Sequence, residues 1–138
     1  MRMTEQNEPA KDPPVAPRRG KFSEEDWNIK ELLHRLDEDQ EFLCDLLRIF
    51  RDDSQANLQK ARAALADGDL PGLMRHAHTL KGMLRNLSMN RAGEEAFALE
   101  SASRQGKGKE AEEILAHLEQ AVAELLPEVD AQLAEVKT

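Results

Sequence analysis

Apolar residues along most of this chain recur at intervals of three and four positions and do not alternate over any long stretch. Such spacing places them on one face of an α-helix, whereas a half-buried strand needs strict alternation. From Phe22 onward, the pattern therefore predicts an all-α domain without strands.

Five helical segments can be delimited by this periodicity and by the residues that interrupt it. They are predicted to run from about Asn28 to Leu36, Asp39 to Ala66, Leu70 to Leu87, Arg91 to Arg104, and from Lys109 onward. The predicted breaks are Asp37-Glu38-Asp39, Gly68 and Gly106-Lys107-Gly108, because such runs end helices more readily than they continue them. Pro127 should kink or end the last segment, since proline removes a backbone donor and crowds the preceding turn.

Long amphipathic helices with short connections pack most economically as antiparallel neighbours. Residues 22–138 are therefore expected to form one antiparallel up-down four-helix bundle, with the short first helix as an accessory at the N-terminal end. Residues 1–21 contain four prolines, lack apolar periodicity and end in Arg18-Arg19-Gly20-Lys21. This composition predicts a disordered linker or arm.

Composition narrows the class of protein further. A chain of 138 residues with 40% hydrophobic content supplies the core of one soluble domain. No apolar run reaches the roughly 18 residues of a membrane span, and the first residues lack a secretory apolar core, so a cytoplasmic protein is expected. The single cysteine, Cys44, allows neither an internal disulfide nor a cysteine-based zinc site, and it is expected to be a buried packing residue.

Charge is distributed unevenly along the chain. The net charge is −8 at pH 7, yet the stretch from Leu70 to Gly93 contains no Asp or Glu. The basic residues within this stretch are Arg75, Lys81, Arg85 and Arg91. A basic patch on an acidic protein predicts an anionic partner, but these cations are few for duplex DNA and the acidic remainder would repel a polyanion. A single phosphoryl group matches the patch better than a nucleic acid.

The hexapeptide Ala77-His78-Thr79-Leu80-Lys81-Gly82 carries the candidate chemistry. At about 100° per residue, one stripe about 100° wide is formed by Leu70, Leu73, Ala77, Leu80, Leu84 and Leu87. His78 lies about 130° from the centre of this stripe and is therefore expected to face solvent.

Several residues should share the surface around His78. Arg75 and Gly82 are close to it in angle, Arg85 lies at its flank, and Lys81 lies at the boundary of the apolar stripe. An exposed imidazole beside cations is suited to accept a phosphoryl group, because neutral imidazole is a nucleophile and the cations would stabilise the added negative charge.

The hexapeptide and its flanks resemble the histidine-containing phosphotransfer (HPt) domains of multistep two-component phosphorelays. The resemblance covers residues 28 to about 133 and includes Leu32-Leu33-His34-Arg35-Leu36, Phe42-Leu43 through Ile49-Phe50, and Ala63-Ala64-Leu65-Ala66-Asp67-Gly68-Asp69. Two positions depart from the family pattern: Met83 stands where a small residue is common, and Ser88 where a glycine is common. We expect these departures to alter packing and the shape of one turn.

The resemblance implies specific roles for residues of the hexapeptide. His78 would be the phosphoacceptor, Lys81 the positively charged neighbour of the phosphoryl group, and Gly82 the small residue that leaves room for a partner. Arg75 and Arg85 are further phosphate-stabilising candidates, and Met74 is a possible docking residue.

The function implied is that of a bacterial phosphocarrier. His78 would accept a phosphoryl group from the aspartate of one receiver domain, in a hybrid sensor kinase or a response regulator, and pass it to another. The sequence shows no nucleotide-binding motif and no carboxylate cluster near His78. We therefore expect no cofactor and no autokinase activity, with Mg²⁺ held by the partner receiver domain. We also expect a monomer.

Two other interpretations of these residues compete with this one. A metal site formed by His76 and His78 is disfavoured, because residues two apart on a helix point about 160° apart, whereas helical zinc pairs use a spacing of four. No metal site is predicted, and His34, His76 and His117 are expected to fill flank or surface positions. A helical adaptor that binds a signalling partner without being phosphorylated stays open.

Overall fold

The computed structural model describes residues 23–137, a range that contains five helices and no strand. The helices are α1 (Ile29–Arg35), α2 (Gln40–Ala66), α3 (Leu70–Asn86), α4 (Asn90–Arg104) and α5 (Gly108–Lys137). The predicted all-α class is therefore confirmed, and the helix boundaries agree with the predicted ones to within a residue. The predicted arm, residues 1–21, lies outside the described residues.

Polar side chains mark where three of the helices begin. Asn28, Asp39 and Asp69 occupy the N-cap positions of α1, α2 and α3, and each accepts a hydrogen bond from a backbone N–H of the first turn. Such a cap satisfies a donor that the helix start leaves free and contributes about 1 kcal/mol. Because Asp69 caps α3, it sets where this helix begins. The start of the helix in turn determines which face of α3 carries His78.

The four longer helices form a closed ring of contacts. Helix α2 packs against α3, α3 against α4, α4 against α5, and α5 against α2. The largest fully buried side chains are Leu32, Leu43, Leu47, Phe50, Leu73, Leu80, Leu84, Met89, Leu99, Leu115, Leu118 and Val122. Cys44 is buried among them, as expected. Within residues 23–137, no helix is both long enough and apolar enough to cross a membrane.

Helix α5 does not end at Pro127 but continues through it to Lys137. Leu125 and Val129 on either side of the proline are buried in the core, at 3% and 0% exposure, whereas Pro127 itself is exposed. Packing of the flanking turns therefore maintains the helix across the missing backbone donor, because tertiary contacts supply most of the stability of a helix in a protein.

The segment before α2 is hydrogen-bonded to the turn between α3 and α4. The indole N–H of Trp27 donates to the Leu87 carbonyl at 2.9 Å. The Arg35 guanidinium donates to the carbonyl of Asn86 at 3.0 Å and to the hydroxyl of Ser88 at 2.6 Å. Ser88 has a φ of 59°, in the left-handed region that favours glycine. Ser88 thus holds this turn in a glycine-like backbone conformation and supplies a hydroxyl partner for Arg35.

Candidate site around His78

His78 is exposed on the outer side of α3. Its side chain is 66% exposed, whereas Ala77 and Leu80 on the same helix are fully buried. Helix α3 is anchored in the core by its apolar stripe, and residues on the other side of the helix necessarily point outward. This is the orientation that the helical wheel predicts.

Helix α4 brings a buried carboxylate to His78. Glu100 is 6% exposed, and its Oε2 atom lies 3.0 Å from Nδ1 of His78. The Nη2 atom of Arg104 donates to the same oxygen at 3.0 Å. Lys81 Nζ forms an ion pair with the other oxygen, Oε1, at 2.8 Å. Three basic side chains from two helices therefore converge on one carboxylate.

The charge state of Glu100 follows from these contacts. Lys81 is the main cause that lowers the pKa of the Glu100 carboxyl below its ordinary value; burial opposes this effect, and His78 adds to it. The carboxyl is thus ionised at neutral pH and can only accept hydrogen bonds. The Nδ1 atom of His78 must then be the donor, a tautomer assigned from its partner. In the neutral imidazole, this leaves the lone pair on Nε2.

An aromatic ring extends the site along α4. Phe97 precedes Glu100 by about one turn and is 47% exposed. Lys81 Nζ lies 5.4 Å from the centre of the Phe97 ring, and Arg85 Cζ lies 5.6 Å from it. Lys81 thus contacts both the carboxylate and the ring, and its side chain is only 17% exposed. Arg85, by contrast, forms no ion pair with a carboxylate in the part of the chain that the structure describes.

The remaining predicted residues lie on α3 around His78. A Cβ atom added at Gly82 would meet nothing within 4 Å, so no residue of the described range needs a glycine there. Arg75 is exposed and Met74 is half-buried, both about one turn before His78. The structure therefore brings His78, Lys81 and Arg85 into one network with α4, and leaves Arg75, Met74 and Gly82 at its border.

Sequence reasoning missed Glu100, Phe97 and Arg104. Helix α3 itself contains no Asp or Glu, and the carboxylate beside His78 belongs to the neighbouring helix α4. A signal was present in α4: Glu100 occupies the same stripe as the buried Ala96, Leu99 and Ser103. A glutamate at a core position requires a partner of opposite charge or a hydrogen-bond donor, since burying an unpaired charge is costly.

His76 takes no part in this network and is half-buried on α3. Among residues 23–137, no group of three or more His, Cys, Asp or Glu side chains is arranged to hold a metal ion. The single carboxylate beside His78 is instead surrounded by cations and a ring nitrogen.

A family model described as the Hpt domain matches residues 45–131, more than half of the chain, and this range includes the whole of α3 and α4. No curated protein and no solved structure matches the chain.

Proposed function

The chain belongs to the Hpt domain family, and we propose that it is a phosphocarrier whose phosphoacceptor is His78. Hpt domains function in phosphotransfer within two-component phosphorelays, where they interact with receiver domains and kinases. In our proposal, His78 takes the phosphoryl group from the aspartate of one receiver domain and passes it to another. The observation that carries the proposal is an exposed imidazole whose Nδ1 is held by the ionised carboxylate of Glu100.

The geometry supports a transfer step at Nε2. The Nε2 lone pair attacks the phosphorus of a receiver phosphoaspartate, an N–P bond forms, and the bond between phosphorus and the aspartate oxygen breaks. The aspartate leaves as a carboxylate with that electron pair. The Nδ1 proton stays on the ring, which becomes cationic, and Glu100 stabilises this charge at 3.0 Å. Onward transfer is the reverse of this step toward a second aspartate.

The cations around His78 support binding of the transferred group. Phosphoryl transfer depends on positioning and on neutralising the phosphoryl oxygens. Lys81 is held next to His78 by their common partner Glu100, and Arg85 is free of carboxylates within the described residues. We assign these two residues and Arg75 to phosphate stabilisation. Mg²⁺ is assigned to the partner receiver domain, where it would neutralise the same oxygens.

Gly82 and Met74 are assigned to the contact with the partner. The open space above Gly82 allows a partner to approach α3 about one turn from His78. Met74 lies about one turn on the other side and offers a half-buried apolar surface. Neither residue is needed for the imidazole chemistry, so their substitution should affect transfer between proteins and leave the reactivity of His78 intact.

We also propose that α2 to α5 pack as an antiparallel up-down bundle, with α1 as an accessory helix. Two ion pairs support it: Arg51 to Asp130 at 3.1 Å and Arg62 to Glu119 at 2.6 Å. Arg62 lies closer than Arg51 to the C-terminus of α2, and its partner Glu119 lies closer than Asp130 to the N-terminus of α5. This is the pattern of antiparallel neighbours.

The experiment that tests the function is phosphoryl transfer from a labelled receiver domain. Wild-type protein should acquire acid-labile, base-stable label, and His78→Gln should acquire none. His76→Gln, two positions away on α3, is the matched control and should be labelled normally. Label that persists in His78→Gln would contradict the proposal. Binding of several receivers without any labelling of the wild type would instead support an adaptor that is not phosphorylated.

A further inference from the structure

Three large apolar side chains of the described residues are substantially exposed: Phe42, Ile49 and Phe97. Exposure alone carries little meaning, because single apolar residues are common on protein surfaces. Phe97 differs in its surroundings. Two basic side chains of α3 lie against its ring, and one of them also contacts the carboxylate that holds His78.

Phe97 and His78 belong to one continuous surface. Lys81 Nζ lies 5.4 Å from the centre of the Phe97 ring and 2.8 Å from Glu100. Glu100 in turn lies 3.0 Å from His78 Nδ1. Phe97 and Glu100 are three positions apart on α4 and so lie on the same side of that helix. A protein that covers the exposed imidazole would therefore reach the Phe97 ring at the border of the same contact.

Arg85 gives this border a positive charge. A carboxylate partner would largely neutralise a guanidinium, whereas an aromatic ring attracts it and leaves its net charge unchanged. Arg85 lies 5.6 Å from the Phe97 ring centre and has no carboxylate partner among the described residues. Its side chain is thus held in place while it can still pair with an acid from outside. A half-exposed aromatic ring with an adjacent arginine has the composition enriched at the energetic centres of protein interfaces.

We infer that Phe97 and Arg85 form a docking element that selects the receiver domain that exchanges a phosphoryl group with His78. The inference rests on the proposed function. The receiver presents an acidic surface, because its phosphoaccepting aspartate and the oxygen ligands that Mg²⁺ requires lie together. Phe97 supplies the apolar anchor. Arg85, in addition to the phosphate-stabilising role proposed above, pairs with a carboxylate at the rim of the acidic surface as the receiver docks. Charge complementarity of this kind raises the association rate, and the buried ring slows dissociation.

The test compares two phosphodonors, a phosphorylated receiver domain and phosphoramidate, which is small and needs no docking surface. Phe97→Ala should lower kcat/KM for the receiver by about tenfold or more, mainly through KM, as expected for loss of an interface anchor. Labelling by phosphoramidate should stay within about twofold of the wild-type rate, because the contact between His78 and Glu100 is retained. Phe97→Leu should be intermediate, since it keeps an apolar side chain without the ring.

Two further variants complete the design. Arg85→Gln should slow transfer from the receiver at low salt and flatten its dependence on ionic strength, because one screened attraction is removed. Leu126→Ala is the control for truncation of an apolar side chain, since Leu126 is a partly buried residue of α5, which packs against α2 and α4. It should leave the receiver rate unchanged.

The outcomes separate the inference from the proposed function. An unchanged receiver rate in Phe97→Ala would overturn the inference, and so would an equal fall with both donors, which would place Phe97 in the chemistry rather than in docking. Failure of wild-type protein to take label from either donor would overturn the proposed function, and the inference with it. Normal labelling of the wild type with an unaffected Phe97→Ala variant would remove only the inference.

Discussion

Nδ1 of His78 lies 3.0 Å from Oε2 of Glu100, although the two residues are 22 positions apart and belong to different helices. The contact crosses the interface between α3 and α4, so the orientation of the imidazole depends on how these helices pack. Glu100 is itself held by Lys81 on one helix and Arg104 on the other. The ring that we propose as phosphoacceptor is therefore positioned by a charged network rather than by its own helix alone.

Replacing Glu100 by glutamine should slow phosphorylation of His78 by about tenfold. The expected loss corresponds to about 1.4 kcal/mol, close to the lower limit for a hydrogen bond to a charged group. The variant keeps the shape of the side chain but cannot compensate the charge that develops on the ring. The rate should fall with both a receiver and phosphoramidate as donor. Glu94→Gln, an exposed glutamate of the same helix, is the control, and an equal effect in that variant would contradict the role of Glu100.

The stability contributed by Glu100 should depend on acid pH. Its folded-state pKa is lowered below the ordinary value, chiefly by Lys81. Its contribution is therefore fully present above the unfolded-state pKa of about 4.3 and is lost as the pH falls through the lower folded-state pKa. The difference in unfolding free energy between wild type and Glu100→Gln should be about 1–3 kcal/mol at pH 7 and shrink below about pH 4. Urea unfolding across this range measures it, and a constant difference would refute the assignment.

Glu95 should show the opposite dependence. Burial is the main cause that raises the pKa of its carboxyl; His117 and Arg91 act against it, and Glu124 adds to the rise. One oxygen of Glu95 is buried without a hydrogen-bond partner in the described range. A raised acid pKa means that stability is greatest below the unfolded-state pKa and declines as the pH rises through the folded-state value. Glu95→Gln should therefore be more stable than wild type at pH 7 and equal to it near pH 3.5 in urea unfolding.

The sequence predicts the helices well because each is specified locally. Apolar periodicity and the breaks at Asp37-Glu38-Asp39, Gly68 and Gly106-Lys107-Gly108 predict boundaries that agree with the structure to within a residue, and the helical wheel of α3 predicts that His78 faces outward. Glu100 escaped prediction because its role depends on which residues of α3 and α4 face each other. The periodicity of α4 places Glu100 among its core-facing residues, but it does not show which residue of α3 lies opposite, because that alignment is set by packing between the helices. Pro127 shows the same limit, since packing of its neighbours overrides the local preference against helix.

Substitutions at Gly82 should have separate effects on the stability of the fold and on the rate of phosphoryl transfer. A glycine within a helix is about 1 kcal/mol less favourable than alanine, and an added Cβ would meet nothing. Gly82→Ala should therefore raise the unfolding free energy by up to about 1 kcal/mol, whereas Gly82→Gln should slow transfer from a receiver by about tenfold or more through misplacement of the partner. Gly93→Ala is the contrast, because its Cβ would lie 3.1 Å from Arg85 Cγ. A stabilisation of similar size at Gly93 would argue against this explanation.

Replacing Ser88 by glycine and replacing it by alanine should have different effects on stability. Its φ of 59° disfavours residues with a Cβ by about 1–2 kcal/mol, and its hydroxyl accepts a hydrogen bond from Arg35 at 2.6 Å. Ser88→Ala and Ser88→Gly both lose this hydrogen bond, but only the glycine relieves the backbone. Ser88→Gly should thus be more stable than Ser88→Ala by about 1 kcal/mol in thermal unfolding. Equal stabilities would indicate that the backbone of this turn relaxes.

The hydrogen bond between Trp27 and the turn after α3 has a spectroscopic consequence. The chain contains one tryptophan and no tyrosine, and the indole is buried with its N–H on the Leu87 carbonyl at 2.9 Å. Intrinsic fluorescence excited near the tryptophan band therefore reports a single place in the molecule, the junction of the N-terminal segment with the end of the helix that carries His78. Release of this junction can be followed without an added label, separately from the loss of helix that circular dichroism records.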